Sequence, residues 1–448
     1  MLLAHRGRTS LALGAASATL IAALLLAPGG RPMTSTCALP TTGGILSARL
    51  ASAQVMPGEQ HLAVTIRMPN VATQTRPPLS LAIVIDRSGS MEGEPLMNAK
   101  AAAARLVDQL APGDAFTVIT YSSSDEIVMP MSRATPENKA TARGKIMMIW
   151  DDGNTCISCG IERGASQLME TPVRGGVRRM VLISDGQANT GLYDRGELAQ
   201  LATETAARGM SISTVGVGLD FDEVTMQNLA DVGHGNYYFV EDTAKLADMF
   251  ARELSGLSTT VAADARLIVD PAPGVFIEEA YGYQVLRQGS RVVVSLADLR
   301  ADKPVTVVFR TTLPAALGAR DVANLELHWR RVSDGGNESA TAHLSSVVTT
   351  DEGAVTASID VNATTAIEQA RTARVLEDAT TIYERDGYEA AQRVLDRHRN
   401  AVRANKNISA PAATAIETKT NDAIVNFGKA SPAKAKKAAR ADAYELAH

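Results

Sequence analysis

A doubly wound α/β unit with a mostly parallel, Rossmann-like sheet, flanked by a β-sandwich-like region and a helical end, is the architecture this 448-residue sequence predicts. Three observations predict it. Residues 79–85 (LSLAIVI) are almost continuously apolar, as a strand covered on both faces must be. Short apolar runs then alternate with helix-length stretches as far as residue 257, the rhythm of a sheet with helices on both faces. Beyond residue 257 the runs alternate apolar with polar and carry no helical period until residue 360.

The α/β elements follow in order. After the first strand comes a helix over 94–110, ended by Pro112-Gly113. Strands are expected over 115–121 (AFTVITY) and 126–131, then helices over 136–148 and 157–169. A strand over 179–184 (RMVLIS) precedes a helix over 194–208. A strand over 210–217, a helix over 221–232, a strand over 236–240 and a closing helix over 243–256 complete the unit, which is assigned to residues 79–257. A sheet of this kind binds ligands beyond the carboxyl ends of its strands, where the strand order reverses.

Outside it, residues 31–44 are rich in Pro, Thr and Gly and read as a linker. Residues 45–78 hold alternating strand segments expected to join the sandwich of residues 258–355. That would make the α/β unit an insertion. Residues 360–448 read as helices followed by a basic end containing Lys429, Lys434, Lys436, Lys437 and Arg440, a solvated tail or helix face.

Residues 1–30 have the layout of a secretory signal. Arg6 and Arg8 precede an uncharged apolar run over 11–27, followed by Pro28, Gly29 and Gly30. An uncleaved anchor is the alternative, and it is the one route to a membrane that the sequence offers. Export places the chain in a periplasm, on a cell surface or in the medium. Apolar residues are 45% of the chain, enough for large cores, and the formal net charge is -5. That balance offers no basic surface for nucleic acid.

The chemistry-bearing residues collect at three predicted loops. Asp86-Arg87-Ser88-Gly89-Ser90 ends the first buried strand, with Asp86, Ser88 and Ser90 at alternate positions. Gly153-Asn154-Thr155 precedes the 157–169 helix, and Ser184-Asp185-Gly186 ends the 179–184 strand. Carboxylate and hydroxyl oxygens are hard ligands, suited to Mg²⁺ and less strictly to Mn²⁺ or Ca²⁺. If the 79–85 and 179–184 strands are neighbours, Asp86 and Asp185 arrive side by side.

These residues resemble the von Willebrand factor type A domain family with an intact metal-ion-dependent adhesion site. That family's pattern is DxSxS, then a Thr, then an Asp, and Asp86, Ser88, Ser90, Thr155 and Asp185 fill it in order. The resemblance implies that the serines coordinate directly, that Thr155 joins directly or through water, and that Asp185 acts mostly through water. It further implies that an acidic residue of a protein partner completes the shell. The arrangement around the α/β unit is similar to exported bacterial proteins of the family and, more distantly, to inter-alpha-trypsin inhibitor heavy chains. The expected function is thus metal-dependent binding or adhesion to a partner with an exposed Asp or Glu. The alternative is a structural or assembly subunit of an envelope complex with no exchangeable ligand.

No catalytic set is expected. No G-x-S-x-G elbow and no G-x-x-x-x-G-K-[ST] phosphate loop occurs, and the seven histidines are scattered. Cys156 and Cys159 depart from the family pattern directly after Thr155. They are candidates for a local disulfide that stiffens the metal loop, or for thiol–disulfide exchange at a helix start. Cys37 is then left over. The acidic pair Asp151-Asp152 reads as a solvated loop, with a second ion near the site as the alternative.

Overall fold

The computed structural model describes residues 44–69, 77–171, 173, 176–185, 187–217, 221–240, 256 and 259–448. The N-terminal targeting segment, the linker with Cys37, the 70–76 connection and all of the 243–256 helix but Gly256 lie outside the described residues. None of the described helices is long and apolar enough to cross a membrane.

Three strands open the described chain: β1 (Leu46–Leu50), β2 (Gln54–Val55) and β3 (Gly58–Ile66). The α/β unit follows. Its elements are β4 (Leu79–Asp86), α1 (Glu94–Gln109), β5 (Ala115–Tyr121), β6 (Asp125–Arg133), α2 (Pro136–Met147), α3 (Ile157–Met169) and β7 (Val177–Ser184). After them come α4 (Arg195–Ala207), β8 (Ser211–Val217), α5 (Glu223–Val232) and β9 (His234–Val240). The strand order is β6-β5-β4-β7-β8-β9. All neighbours are parallel except the edge strand β6, which runs antiparallel to β5. The order reverses between β4 and β7.

Every residue of β4 is buried, because helices cover both faces. Successive side chains point to opposite faces, and the two sets enter two cores. Leu79, Leu81, Ile83 and Ile85 pack with Leu96 and Leu106 of α1 and Ile146 of α2. Ala82 and Val84 pack with Ile157, Ile161 and Leu168 of α3, Leu198 of α4 and Leu229 of α5. An alternating polar strand would leave one of these cores unfilled. The helix expected from residue 221 begins at Glu223. Asp222 caps it by accepting from the Val224 and Thr225 amides, and Phe221 turns into the core instead.

The rest of the chain is β10 (Thr260–Pro271), β11 (Phe276–Ala280), β12 (Val285–Gln288), β13 (Arg291–Ser295), β14 (Leu299–Arg300), β15 (Val305–Leu313), β16 (Gly318–Arg331) and β17 (Asn337–Val348). The helices α6 (Glu352–Ala357), α7 (Val361–Asp386), α8 (Tyr388–Ala404), α9 (Ala410–Lys429) and α10 (Pro432–Ala447) end it. One sheet has the order β1-β3-β15-β11. The other runs β12-β13-β10-β16-β17-β2, with β14 also on β10. Strand β3 pairs along its whole length with β15, from Ile66 opposite Val305 to Gly58 opposite Leu313. The chain therefore leaves the sandwich after β3 and returns to it at β10. Short strands β12 and β14 carry too few apolar residues to announce themselves in the sequence.

Residues 432–447 are a helix and not a tail, and of their basic residues Lys437 departs from the expected solvated face. They form α10, whose Ala435, Ala439, Ala443 and Ala447 lie four apart and pack against Leu376 of α7, Leu395 of α8 and Phe427 of α9. Small side chains allow close helix approach but contribute little to a hydropathy pattern. Lys437, read as solvated, is buried. Its ammonium lies 3.8 Å from the Phe221 ring centroid and donates to the Phe221 carbonyl and, at 2.7 Å, to Glu223. Burial pushes the Glu223 carboxyl up, but the Lys437 hydrogen bond, its own backbone amide and the Lys437 and Arg440 charges together hold the group below its ordinary value. Tyr444 stacks edge-on against Tyr237 and donates to the Gly235 carbonyl.

A second buried pair joins the α/β unit to the sandwich. Arg179 of β7 donates to Asp298 at 2.7 Å, with both side chains less than a tenth exposed. Burial pushes the Asp298 carboxyl up and the Arg179 charge opposes that rise.

Each pair loses stability when one partner is removed, because a buried charge is left uncompensated. Asp298→Ala is expected to cost roughly 3–5 kcal/mol in urea unfolding, and Arg179→Met with Asp298→Leu to recover most of that loss. Lys437→Met should behave likewise and be rescued by Glu223→Gln; a double-mutant cycle with no coupling would show that α10 is held by its alanine stripe alone.

Candidate metal centre

Three loops meet beyond the carboxyl ends of β4 and β7, and backbone hydrogen bonds tie the first to the second. The Gly89 amide donates to the Gly153 carbonyl at 3.1 Å, and the Asp152 amide donates to the Arg87 carbonyl at 2.7 Å. A single 3-10 turn, Gly89–Met91, carries Ser90 toward α1. Gly153 has φ +77, and a Cβ there would stand 2.7 Å from the Ser123 hydroxyl, so the loop requires glycine. The third loop is joined through Asn189. Its side-chain carbonyl accepts from the Thr155 amide at 2.9 Å, and its amide donates to the Thr155 carbonyl at 3.0 Å.

Within this frame four of the five sequence-derived residues are in direct hydrogen-bond contact. The Asp86 carboxylate accepts from the Ser88 amide at 2.9 Å and from the Ser184 hydroxyl at 2.7 Å. The Ser88 and Ser90 hydroxyl oxygens are 3.1 Å apart, and Ser90 donates to Asp185 at 2.9 Å. Thr155 is buried on the adjoining loop and makes no side-chain hydrogen bond to the other four. Ser184, Ser123 and Asn189 were not singled out as positioning groups by sequence reasoning. Their contacts follow no fixed spacing, so no sequence signal points to them.

Asp86 is fully buried. Burial pushes its carboxyl up, against the hydrogen bonds from Ser88 and Ser184 that pull it down. Its described partners are neutral hydroxyl and amide donors, with no Lys or Arg. Two hydroxyls and two carboxylates in succession form a hard-oxygen donor set that fits a small divalent cation. Among the described residues no group of three or more His, Cys, Asp or Glu side chains converges, here or elsewhere, and the donor set at this site is two carboxylates with serine hydroxyls. His234 begins β9 in the left-handed region, at φ +57, and burial lowers its pKa. Asp151 is half-buried and Asp152 exposed, at the surface of the same loop.

Helix α3 sets the position of the second loop. Gly160 and Gly164 face the sheet so closely that a Cβ would lie 2.7 Å from the Tyr121 ring and 2.6 Å from the Met180 methyl. Cys156 and Cys159 are joined as a disulfide at the start of this helix. The Cys156 sulfur also accepts from the Cys159 amide at 3.3 Å. The third loop packs on the bridge at Gly191, φ +71, where a Cβ would meet the Cys156 sulfur at 2.5 Å.

Comparison with known proteins agrees with the α/β fold that carries these loops. Residues 80–252 match the family model of the von Willebrand factor type A domain. The chain is 28% identical over 261 residues to the uncharacterized protein YfbK of Escherichia coli K12, covering 56% of this chain and 45% of that one. It therefore spans less than half the length of that relative. It is 31% identical over 170 residues to inter-alpha-trypsin inhibitor heavy chain H3 of Rattus norvegicus, covering 35% of this chain and 18% of the other. A solved structure, a von Willebrand factor type A protein from Catenulispora acidiphila, superposes with a TM-score of 0.68 at 18% identity. That likeness covers 90% of this chain and 95% of the other, so the shared fold extends through the sandwich and the helices. Residues 80–252 of this chain are a von Willebrand factor type A domain.

Proposed function

We propose that this protein binds a protein partner through a divalent cation, Mg²⁺ or alternatively Mn²⁺ or Ca²⁺, held by Asp86, Ser88, Ser90, Thr155 and Asp185. One observation carries the reading: the Ser88, Ser90 and Asp185 oxygens follow one another at 3.1 and 2.9 Å above the buried Asp86 carboxylate. When bound, the cation supplies a positive charge that attracts an Asp or Glu of the partner. The chain's own residues do the rest. Ser184 and the Ser88 amide hold Asp86 in place, Ser90 orients Asp185, and Asn189 fixes the backbone of Thr155. The reading is one of binding, not catalysis. It places the protein outside the cytoplasm, in a periplasm, on a cell surface or in the medium, on the strength of the charged and apolar segment over 6–31. The disulfide at Cys156 and Cys159 suits an oxidising compartment.

Thermal unfolding in EDTA, Mg²⁺, Mn²⁺ and Ca²⁺ tests the cation site. A ligand that binds only the folded state stabilises it by roughly 2.7 kcal/mol at a hundred times its dissociation constant. A metal-dependent rise of the midpoint is expected, and it should vanish in Asp86→Ala; an equal rise in that variant would sink the assignment. The disulfide generates a second expectation, because it anchors the loop that carries Thr155. Reduction, or Cys156→Ser with Cys159→Ser, should weaken metal binding roughly tenfold, as loss of groups that orient ligands does. Isothermal titration reads this directly, and equal affinities would leave the bridge without influence on the site.

A further inference from the structure

We infer that the partner residue next to the metal-bound carboxylate is a large apolar one, seated on a platform formed by Met97, Met147, Met148 and Trp150. This inference rests on the metal-mediated reading above. The platform adjoins the metal loop. Trp150 lies over the guanidinium of Arg87, 5.2 Å from its ring centroid, and Arg87 sits between Asp86 and Ser88. Met147 and Met148 end α2 just before Trp150. Met97 and Lys100 are three apart on one face of α1, and Lys100 donates to the Met147 carbonyl at 3.4 Å. These contacts set the end of α2 beside both the metal loop and α1, the elements that carry the four residues.

All four are unusually exposed for their type: Met148 79%, Trp150 62%, Met97 58% and Met147 58%. Single exposed apolar residues are ordinary, whereas a contiguous group beside a binding site is not. The other tryptophan of the chain, Trp329, is 7% exposed and lies in the sandwich core. Arg87 gives Trp150 a definite orientation. Its Nε and Nη1 are buried without a hydrogen-bond partner, so its flat face serves as a shelf for the ring. A ring already held loses little freedom on binding. Trp, Met and Arg are also the residue types over-represented at the energetic centres of interfaces. Methionines adapt to different apolar shapes, so the platform selects size and hydrophobicity more than one particular side chain.

Charge selects the same occupant. Lys100 and Lys145 on α1 and α2 are offset by Glu94 of α1 and by Asp151 and Asp152 after Trp150, so the cation is the charge that favours an acidic segment. An apolar residue alone gains nothing from the metal, and an acidic residue alone leaves the platform uncovered. A segment pairing Asp or Glu with an adjacent Leu, Ile, Met or Phe satisfies both.

Selection of phage-displayed random heptapeptides on the immobilised full chain in Mg²⁺, with elution by EDTA, tests the inference. Eluted sequences should pair an acidic residue with an adjacent large apolar one. In a synthetic copy, apolar→Gly should weaken binding by about tenfold or more, the effect of losing one buried aliphatic side chain. The same selection on Trp150→Ala with Met148→Ala should retain the acidic residue and lose the apolar preference. Both side chains are exposed, so the variant keeps its core. Met169→Ala, an equally exposed methionine at the far end of α3, should leave the selected sequences unaltered. An acidic motif without apolar preference, or an apolar preference that survives the double variant, overturns this inference and leaves the metal-mediated reading standing. No enrichment in the EDTA eluate overturns both.

Discussion

Parallel pairing of β4 with β7 is the constraint on which the site depends. The register sets Ile85 opposite Ile183, so both strands end at the same level, and the strand order reverses between them. At a reversal the following chain segments leave toward opposite faces and open a crevice between them. Asp86 and Asp185 emerge at its floor from positions distant in sequence. Lower in β4 the one polar side chain, Ser80, is bonded to Thr171, and the Leu, Ile and Val side chains fill two cores. Oxygen chemistry is therefore concentrated where the strands end, and the apolar run is what makes that end rigid.

The crevice holds a carboxylate in an unusual balance. Asp86 is buried and bonded to a hydroxyl and an amide, both neutral donors. Such bonds orient the group without neutralising it, whereas the buried carboxylates at Asp298 and Glu223 face Arg179 and Lys437. Asp114 is likewise buried and accepts from the Leu79 and Ala111 amides, but it lies away from the crevice, so Asp86 differs in position and not in the kind of its bonds. Around it, the backbone bonds among the three loops, the close approach of α3 and the Cys156–Cys159 bridge fix loop positions before any ligand arrives. Preorganisation of this kind avoids an ordering cost at the moment of binding.

The two buried ion pairs serve a different end. Each joins the α/β unit to something outside it, Arg179 to the sandwich and Glu223 to α10. A buried pair adds little net stability over an apolar contact, but it has one geometry that satisfies both charges. Lys437 and Tyr444 hold α10 against α5 and β9 at one register, which a stripe of alanines could not specify alone. The sandwich takes its first strands from one side of the insertion and the remainder from the other, so both ends of the α/β unit are anchored.

How far the sequence reaches follows from the range of each interaction. The helices and buried strands of the α/β unit are legible because their signal, an apolar period, lies within one element. Helix α3 begins and ends where its pattern does. Asp86, Ser88, Ser90, Thr155 and Asp185 are legible as a set because their residue types recur in the order a known family uses. Their convergence is not written in any local pattern. It depends on which strand pairs with β4, and the hydrogen-bond ladder decides that. Ser184, Asn189 and Ser123 acquire their positioning contacts only once distant loops meet. The packing of α10 is not legible in the sequence because alanine is too small to mark a face and Lys437 carries a charge that usually stays in water. Its burial becomes favourable only when Glu223 and the Phe221 ring, more than two hundred residues earlier, are folded beneath it. Sequence alone determined the periodic elements and the order in which the carboxylate and hydroxyl residues follow one another. Tertiary structure decided which charges are buried in pairs and which one is left facing the crevice, because pairing across such distances is a property of the packed chain.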